Sequence, residues 1–294
     1  MSSRILPLAA ATRGCRTLLL AGLLGLSPGM PASAQTHPED DEVVDVELVL
    51  AVDVSLSMSP TELDIQRDGY AAALVHEQVV RAIKDGVHGK IAVTYFEWAG
   101  DYTQHVVVPW TRISSEAEAQ AFVAQMTANP PRSARRTSIS GALLYADKLF
   151  DDNGFRGLKR VIDVSGDGPN NQGEPVDLTR DDITAKGITI NGLPLMTRGG
   201  FASSFDVDDL DLYYQNCVIG GPGAFVIPVN DWAQFPEAIR RKLVLELADA
   251  PPAWPPAAAH DGQDLPVVLA QATPGFDCQI GEKIWQNRQR YWEN

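Results

Sequence analysis

The segment Val43 to Asp53, VVDVELVLAVD, limits the possible folds more than any other stretch of the chain. It opens with strand-like alternation and closes as a continuous apolar run, the pattern of a parallel strand buried on both faces. A parallel neighbour needs a crossover, usually a helix, and the next residues supply one. Ser59-Pro60-Thr61-Glu62 gives a capping serine, a proline at the first helical position and a glutamate three residues after the cap, which makes a capping box. Ile65, Ala72, Val75, Val79 and Ile83 follow at helical spacing and predict one helix that ends at Gly86 and Gly89.

The alternation continues along the chain. Lys90 to Trp98 reads as a second strand, and Tyr102 to Val108 as a third that forms an antiparallel hairpin with it at a sheet edge. Further strands are predicted at Leu158 to Val164, Ile188 to Leu193 and Ala224 to Val229. Helices are predicted at Glu116 to Met126, Gly141 to Phe150, Asp177 to Lys186 and Asp231 to Leu247. In the last of these, Trp232, Phe235, Ile239, Leu243 and Leu247 share one face, and Arg240, Arg241 and Lys242 read as the solvated face. This order predicts a doubly wound α/β fold: a mostly parallel central sheet, one antiparallel edge strand and helices on both faces. After Ala248 the composition shifts. Residues 249–274, rich in Pro and Ala, read as an extended linker, and residues 275–294 as a polar, aromatic tail that docks back on the domain.

Polar chemistry collects where the strands end. The first strand runs into Asp53-Val54-Ser55-Leu56-Ser57, a D-x-S-x-S sequence at the carboxyl end of a strand, where open α/β sheets bind ligands. Alternate residues of an extended segment point the same way, so Asp53, Ser55 and Ser57 can present oxygens to one point. The plain alternative is a polar turn whose serines cap the next helix. Thr137 stands just before a helix, and Asp167 just past the fourth strand in Val164-Ser165-Gly166-Asp167-Gly168. Their plain alternatives are a helix cap and a tight turn. Together the five side chains form an all-oxygen set of the kind Mg²⁺ takes, and Mn²⁺ or Ca²⁺ accepts such a shell too.

These residues resemble the metal-ion-dependent adhesion site (MIDAS) of von Willebrand factor type A (VWFA) domains, which combines D-x-S-x-S with a Thr in a second loop and an Asp before Gly in a third. Asp53, Ser55, Ser57, Thr137 and Asp167 match those roles one by one, and the resemblance covers about Val43 to Ala248. It implies a Rossmann-like VWFA fold. More narrowly, IDVSGDGPNN, VIGGPGAF and AIRRKLVLELA are similar to a bacterial exported group of such domains of uncharacterised function. The third loop departs from the family in reading S-G-D-G, with an added Gly166, where many relatives have T-D-G or S-D-G. Asp163 and Ser165 are therefore alternate ligands. Glu97, at the end of the second strand, would either act on the ion through a water or be a solvated strand end. Asn170 and Asn171 would either line the ligand surface or shape the turn. Trp98 and Tyr102 would be either partner anchors or hairpin packing.

Two carboxylates and three hydroxyls balance the charge of a divalent ion and leave one coordination position for a sixth oxygen. In the resembled family that oxygen comes from an Asp or Glu carboxylate of a protein ligand, so the resemblance implies a metal-dependent protein-binding module and no enzyme. Two alternatives are kept: a structural or assembly protein with incidental metal, and a metal-dependent phosphohydrolase. The second is the weaker, because an Asp53 phosphoryl acceptor would want a carboxylate two residues on, where Ser55 stands. Beyond the first 34 residues the chain holds no G-x-S-x-G elbow, zinc-spaced His pair, or phosphate-binding Gly-rich loop.

The first 34 residues read as a signal peptide. Arg4, Arg13 and Arg16 give a basic start, Thr17 to Leu26 an apolar core too short to span a bilayer, and Ala32-Ser33-Ala34 a cleavage site. The mature protein is therefore expected to be exported, periplasmic or secreted, with no transmembrane segment. Cleavage would remove three of the 24 basic residues and none of the 38 acidic ones, taking the net charge from −14 to −17. A chain this acidic excludes nucleic acid as a natural partner. Cleavage also removes Cys15, leaving Cys217 and Cys278. In an oxidising compartment the two read as one disulfide, the alternative being two separate buried thiols.

Overall fold

Every side chain of β1 (Glu42–Asp53) beyond its first two residues is buried in the computed structural model, which describes residues 41–197, 207, 209–248, 266–270 and 275–292. Val46, Leu48, Leu50 and Val52 enter one core, and Val49 and Ala51 enter the other. The continuous apolar run thus reflects two buried faces, and each buried Val or Leu contributes about 1.5–3 kcal/mol. The two acids within the run are satisfied by hydrogen bonds. Asp45 accepts from the backbone N–H of His88 at 2.8 Å, and Glu47 from that of Gly157 at 2.6 Å.

β1 lies third in a seven-stranded sheet. Its neighbours in chain order are β2 (Ile91–Trp98), β3 (Gln104–Ile113), β4 (Phe155–Gly166), β5 (Thr189–Pro194), β6 (Phe225–Val226) and β7 (Val268–Leu269). The spatial order is β3-β2-β1-β4-β5-β6-β7. β1 pairs in parallel with β2 and β4, and β5 and β6 extend the parallel run. The predicted antiparallel edge strand is β3. A second antiparallel edge strand, β7, closes the other side. It comes from the stretch read as linker, and two residues are too few to show strand periodicity. Residues 249–265 and 271–274 of that stretch lie outside the described residues, as does the expected signal peptide.

Helices cover both faces. One core takes α1 (Pro60–Leu74), α2 (Glu77–Lys84), α3 (Glu116–Met126) and, late in the chain, α7 (Phe235–Leu247). The other takes α4 (Ile139–Leu149), α5 (Val176–Thr184) and α6 (Leu210–Tyr213), which continues into a π-helical turn at Tyr214–Val218. Among the described residues no helix is long and apolar enough to cross a membrane.

Three sequence expectations need correction. The helix predicted from Ser59 to Ile83 is two helices, because the His76 ring accepts from the Gln78 N–H at 3.2 Å and caps a new start. The buried residues of α1 include Leu63, Gln66, Arg67, Tyr70, Ala73 and Leu74 but not Ile65 or Ala72, and Gln66 and Arg67 bond to the strand ends. Lys242 is not solvated. It is fully buried and pairs with Asp163 at 2.9 Å and with Glu246.

The tail is also built in. Cys217, in the π-helical turn, is bridged to Cys278, with Cα atoms 5.4 Å apart, and α8 (Ile280–Trp292) starts two residues later. Closing a loop of 61 residues in the unfolded chain is worth about 4 kcal/mol in the chain-entropy account.

Candidate metal centre

The strand order reverses at β1: β2 and β3 lie on one side, and β4 to β7 on the other. Its carboxyl end is therefore the topological switch point of the sheet. Asp53 ends β1 and Gly166 ends the parallel β4, so the D-x-S-x-S loop and the Asp167 loop leave from the same rim. A third loop is zipped onto the first. Leu56 N–H donates to the Ala134 carbonyl at 2.9 Å, and Ala134 N–H to the Val54 carbonyl at 3.1 Å. The Ser138 N–H reaches the Ala99 carbonyl at 2.7 Å. These bonds carry Thr137 to the rim.

Four of the five predicted oxygen side chains meet there through hydrogen bonds. The Ser55 and Ser57 hydroxyls are 2.9 Å apart. Ser57 donates to Asp167 Oδ1 at 2.9 Å, with Ser55 Oγ 3.5 Å from the same oxygen. Asp53 Oδ1 accepts from the Ser55 N–H at 2.7 Å. Asp53 Oδ2 is buried and accepts no hydrogen bond from the described residues. Thr137 is held on the adjoining loop by a reciprocal pair with Asn171: its N–H donates to Asn171 Oδ1 at 3.1 Å, and its carbonyl accepts from the Asn171 N–H at 2.9 Å.

The capping alternatives are filled by other residues. Ser59 caps α1 with a complete capping box, and Ser138 caps α4, so Ser55, Ser57 and Thr137 are not needed as caps. Gly166, the added residue of the third loop, has a packing reason. A β-carbon there would lie 2.8 Å from the Tyr214 hydroxyl and 2.9 Å from Asp53 Oδ2. The loop needs a residue without a side chain to pass the buried carboxylate, and with glycine in place Asp167 reaches both serines.

The electrostatics suit a cation. Burial pushes the Asp53 carboxyl well above the usual carboxylate range, and the charge of Asp167 pushes it further. Burial and then the charges of Asp53 and Asp167 raise Tyr214 as well. A divalent ion between the two carboxylates would relieve both, and the orphaned Asp53 Oδ2 is a ready ligand. Among the described residues no three His, Cys, Asp or Glu side chains are placed to hold an ion. The donor set is two acids with hydroxyls, which fits Mg²⁺ better than zinc.

The supporting residues are placed as follows. Glu97 is buried and ion-paired with Arg67 of α1, so it is not a solvated strand end. Asp163 is engaged by Lys242, and Ser165 donates to Gln66 Oε1 at 3.3 Å. Asn170 is fully buried, its Oδ1 accepting from the Ser140 N–H at 3.0 Å. Trp98 is core, whereas Tyr102 is 91% exposed.

Sequence reasoning missed Gln66 and Tyr214. Gln66 Nε2 donates to the Asp53 carbonyl at 2.9 Å while its oxygen receives Ser165, so it ties α1 to both strand ends. The available signal was a polar residue at helical spacing between Leu63 and Tyr70. Tyr214 had no such signal, because only the fold brings it to Gly166.

Comparison with solved structures bears on the fold. The pilus adhesin SpaC from Lactobacillus rhamnosus GG in its open conformation has a TM-score of 0.51 at 12% identity, over 71% of this chain and 31% of that one. Proximal thread matrix protein 1 from the mussel byssus, with a zinc-occupied MIDAS motif, has a TM-score of 0.48 at 15% identity, over 70% and 48%. A von Willebrand factor type A protein from Catenulispora acidiphila has 0.44 at 18% identity, over 70% and 43%. The chain thus spans about half the length of the mussel protein and about a third of SpaC. The likeness to SpaC is one of fold, and it fits the VWFA-like, Rossmann-type α/β architecture that the resemblance implies. No curated protein matches the sequence. The family described as protein of unknown function (DUF1194) matches residues 43–251, and the chain belongs to that family.

Proposed function

We propose that this chain is an exported, metal-dependent protein-binding module of the adhesion type. Asp53, Ser55, Ser57, Thr137 and Asp167 would hold a divalent cation, Mg²⁺ foremost, with Mn²⁺ and Ca²⁺ as substitutes. The observation that carries this is the convergence of Ser55, Ser57 and Asp167 beside a buried Asp53 carboxylate with an orphaned oxygen. A bound cation supplies a Lewis-acidic point that accepts one further oxygen, and an Asp or Glu of a partner protein has the charge for it. The chain's own residues set the orientation. Asp53 is buried at the floor of the site and Ser57 and Asp167 are half-buried, so the open side faces solvent.

The rim suits a protein ligand. Leu56, between the two serines, is 54% exposed, and Tyr102 projects from the β2–β3 turn on the same edge. An apolar residue and an aromatic one beside a metal would give a protein partner contact area around its carboxylate. A catalytic role has less support, since Ser55 occupies the place where a phosphohydrolase would carry its second carboxylate.

The test is capture of partners from native extract in Mg²⁺, elution with EDTA, and repetition with Asp53→Ala, alongside assays on phosphate esters. EDTA-reversible capture that Asp53→Ala abolishes, without turnover, supports this reading. Capture indifferent to EDTA would replace it with a structural role, and metal-dependent hydrolysis with an enzymatic one.

A further inference from the structure

The loops that carry Thr137 and Asp167 are braced from outside the sheet by α8. A β-carbon on Gly281 would fall well inside van der Waals contact with the Asn170 carbonyl oxygen, so the first turn of α8 lies directly on the third loop. Next to it, Asn170 Nδ2 donates to Glu282 Oε1 at 2.7 Å. The Tyr213 hydroxyl joins the same point to the disulfide, accepting from the Asn170 N–H at 3.1 Å and lying 3.4 Å from the Cys278 carbonyl. One turn further along α8, the Trp285 ring stacks on the Arg136 guanidinium, 3.2 Å from the ring centroid. Arg136 directly precedes Thr137 and sits at φ 76°, a left-handed conformation that a residue with a side chain holds only when its surroundings impose it. The reciprocal Thr137–Asn171 pair then locks the two loops to each other.

We propose that α8, stapled by Cys217–Cys278, is a positioning element of the metal centre, setting Thr137 through the Trp285–Arg136 stack and Asp167 through the Gly281 and Glu282 contacts with Asn170. Cys278 and the α8 residues Gly281, Glu282 and Trp285 lie beyond 251, the last position of the family match. The inference rests on the metal-binding reading above. It adds that the site is complete only with the C-terminal helix docked, and that reducing the disulfide loosens it.

The test uses the whole mature protein as wild type, Trp285→Ala, Trp285→Phe and the double variant Cys217→Ser/Cys278→Ser. Mn²⁺ affinity is measured by calorimetry, and amide hydrogen exchange of residues 134–141 and 166–174 is measured without metal. Trp285→Ala is expected to weaken Mn²⁺ about tenfold, the scale of lost outer-shell support. It should also speed exchange in both loops while leaving β1 and β4 unchanged. Trp285→Phe, which keeps an aromatic face, should restore both, and the double serine variant should behave like Trp285→Ala. Wild-type affinity and wild-type loop exchange in Trp285→Ala would overturn the proposal even if the double variant fails to fold. A wild-type protein that takes no Mn²⁺ would overturn the metal reading instead. Loop exchange would then decide on α8 alone: faster exchange in Trp285→Ala supports its bracing of the loops, and unchanged exchange refutes it.

Discussion

Ser57 donates its hydroxyl to Asp167 across 110 residues of sequence, at 2.9 Å, and so joins the loop after β1 to the loop after β4. Nothing in the packing of the sheet requires that bond, since both residues lie past the strand ends and are half-buried. Its role is to hold a carboxylate beside a second, buried one. Ser57→Ala is therefore expected to lower Mg²⁺ affinity by roughly tenfold or more, on the scale of outer-shell losses alone. Urea stability of the metal-free protein should change little. Calorimetry of Mg²⁺ binding checks the first expectation and urea unfolding the second.

Gly166 gives a separate handle on the same place. Alanine there would press on the Tyr214 hydroxyl and Asp53 Oδ2. Gly166→Ala is expected to cost about 1–3 kcal/mol, as overpacking does. Adding Tyr214→Phe removes one of the two clashing atoms and should recover part of the loss. Urea unfolding of the single and double variants measures that coupling, and strictly additive effects would count against the packing account.

Much of this arrangement could be read in the sequence, and the rest could not, for identifiable reasons. The run Val43 to Asp53 revealed a strand buried on two faces because both cores draw on alternate residues of β1. Ser59, Pro60 and Glu62 showed where α1 starts, since capping is a local matter. Asp53 could be picked out because it ends a recognisable strand, and Ser55, Ser57 and Asp167 because each follows one. By contrast, Lys242 reads as solvated beside Arg240 and Arg241 and is buried, because its partner Asp163 on β4 is supplied by tertiary packing, while Glu246 lies one turn along the same helix. The contact of α8 with the second loop was hidden for the same reason: the stacking of Trp285 on Arg136 spans about half of the chain and leaves no periodic trace.

The buried trio on α7 and β4 carries its own prediction. Removing Lys242 would leave Asp163 and Glu246 in the core without the cation they share. Lys242→Met is expected to destabilise by about 3–5 kcal/mol, the range for breaking one side of a buried pair. Denaturant unfolding at neutral pH measures it.

Glu246 should make stability depend on pH. Burial pushes its carboxyl from 4.5 up to about 7, Lys242 opposing the rise and Asp163 adding to it. A folded value above the unfolded one means the native state holds the proton longer. The contribution to stability is full below 4.5, declines as pH rises toward 7, and is flat above that. Glu246→Gln removes this titration. Wild type should lose stability relative to Glu246→Gln between pH 5 and pH 8, as read by urea midpoints, and a constant gap would contradict the assignment.

The most direct test of the metal centre is calorimetric titration of Mg²⁺ into residues 35–294 of the wild-type protein and of Asp53→Ala, with thermal unfolding of both in EDTA. One Mg²⁺ site per wild-type chain is expected, with no measurable site in Asp53→Ala and a metal-free variant at least as stable as wild type, since a buried carboxylate beside Asp167 has been removed. Equal Mg²⁺ affinity in the two proteins would contradict the metal centre.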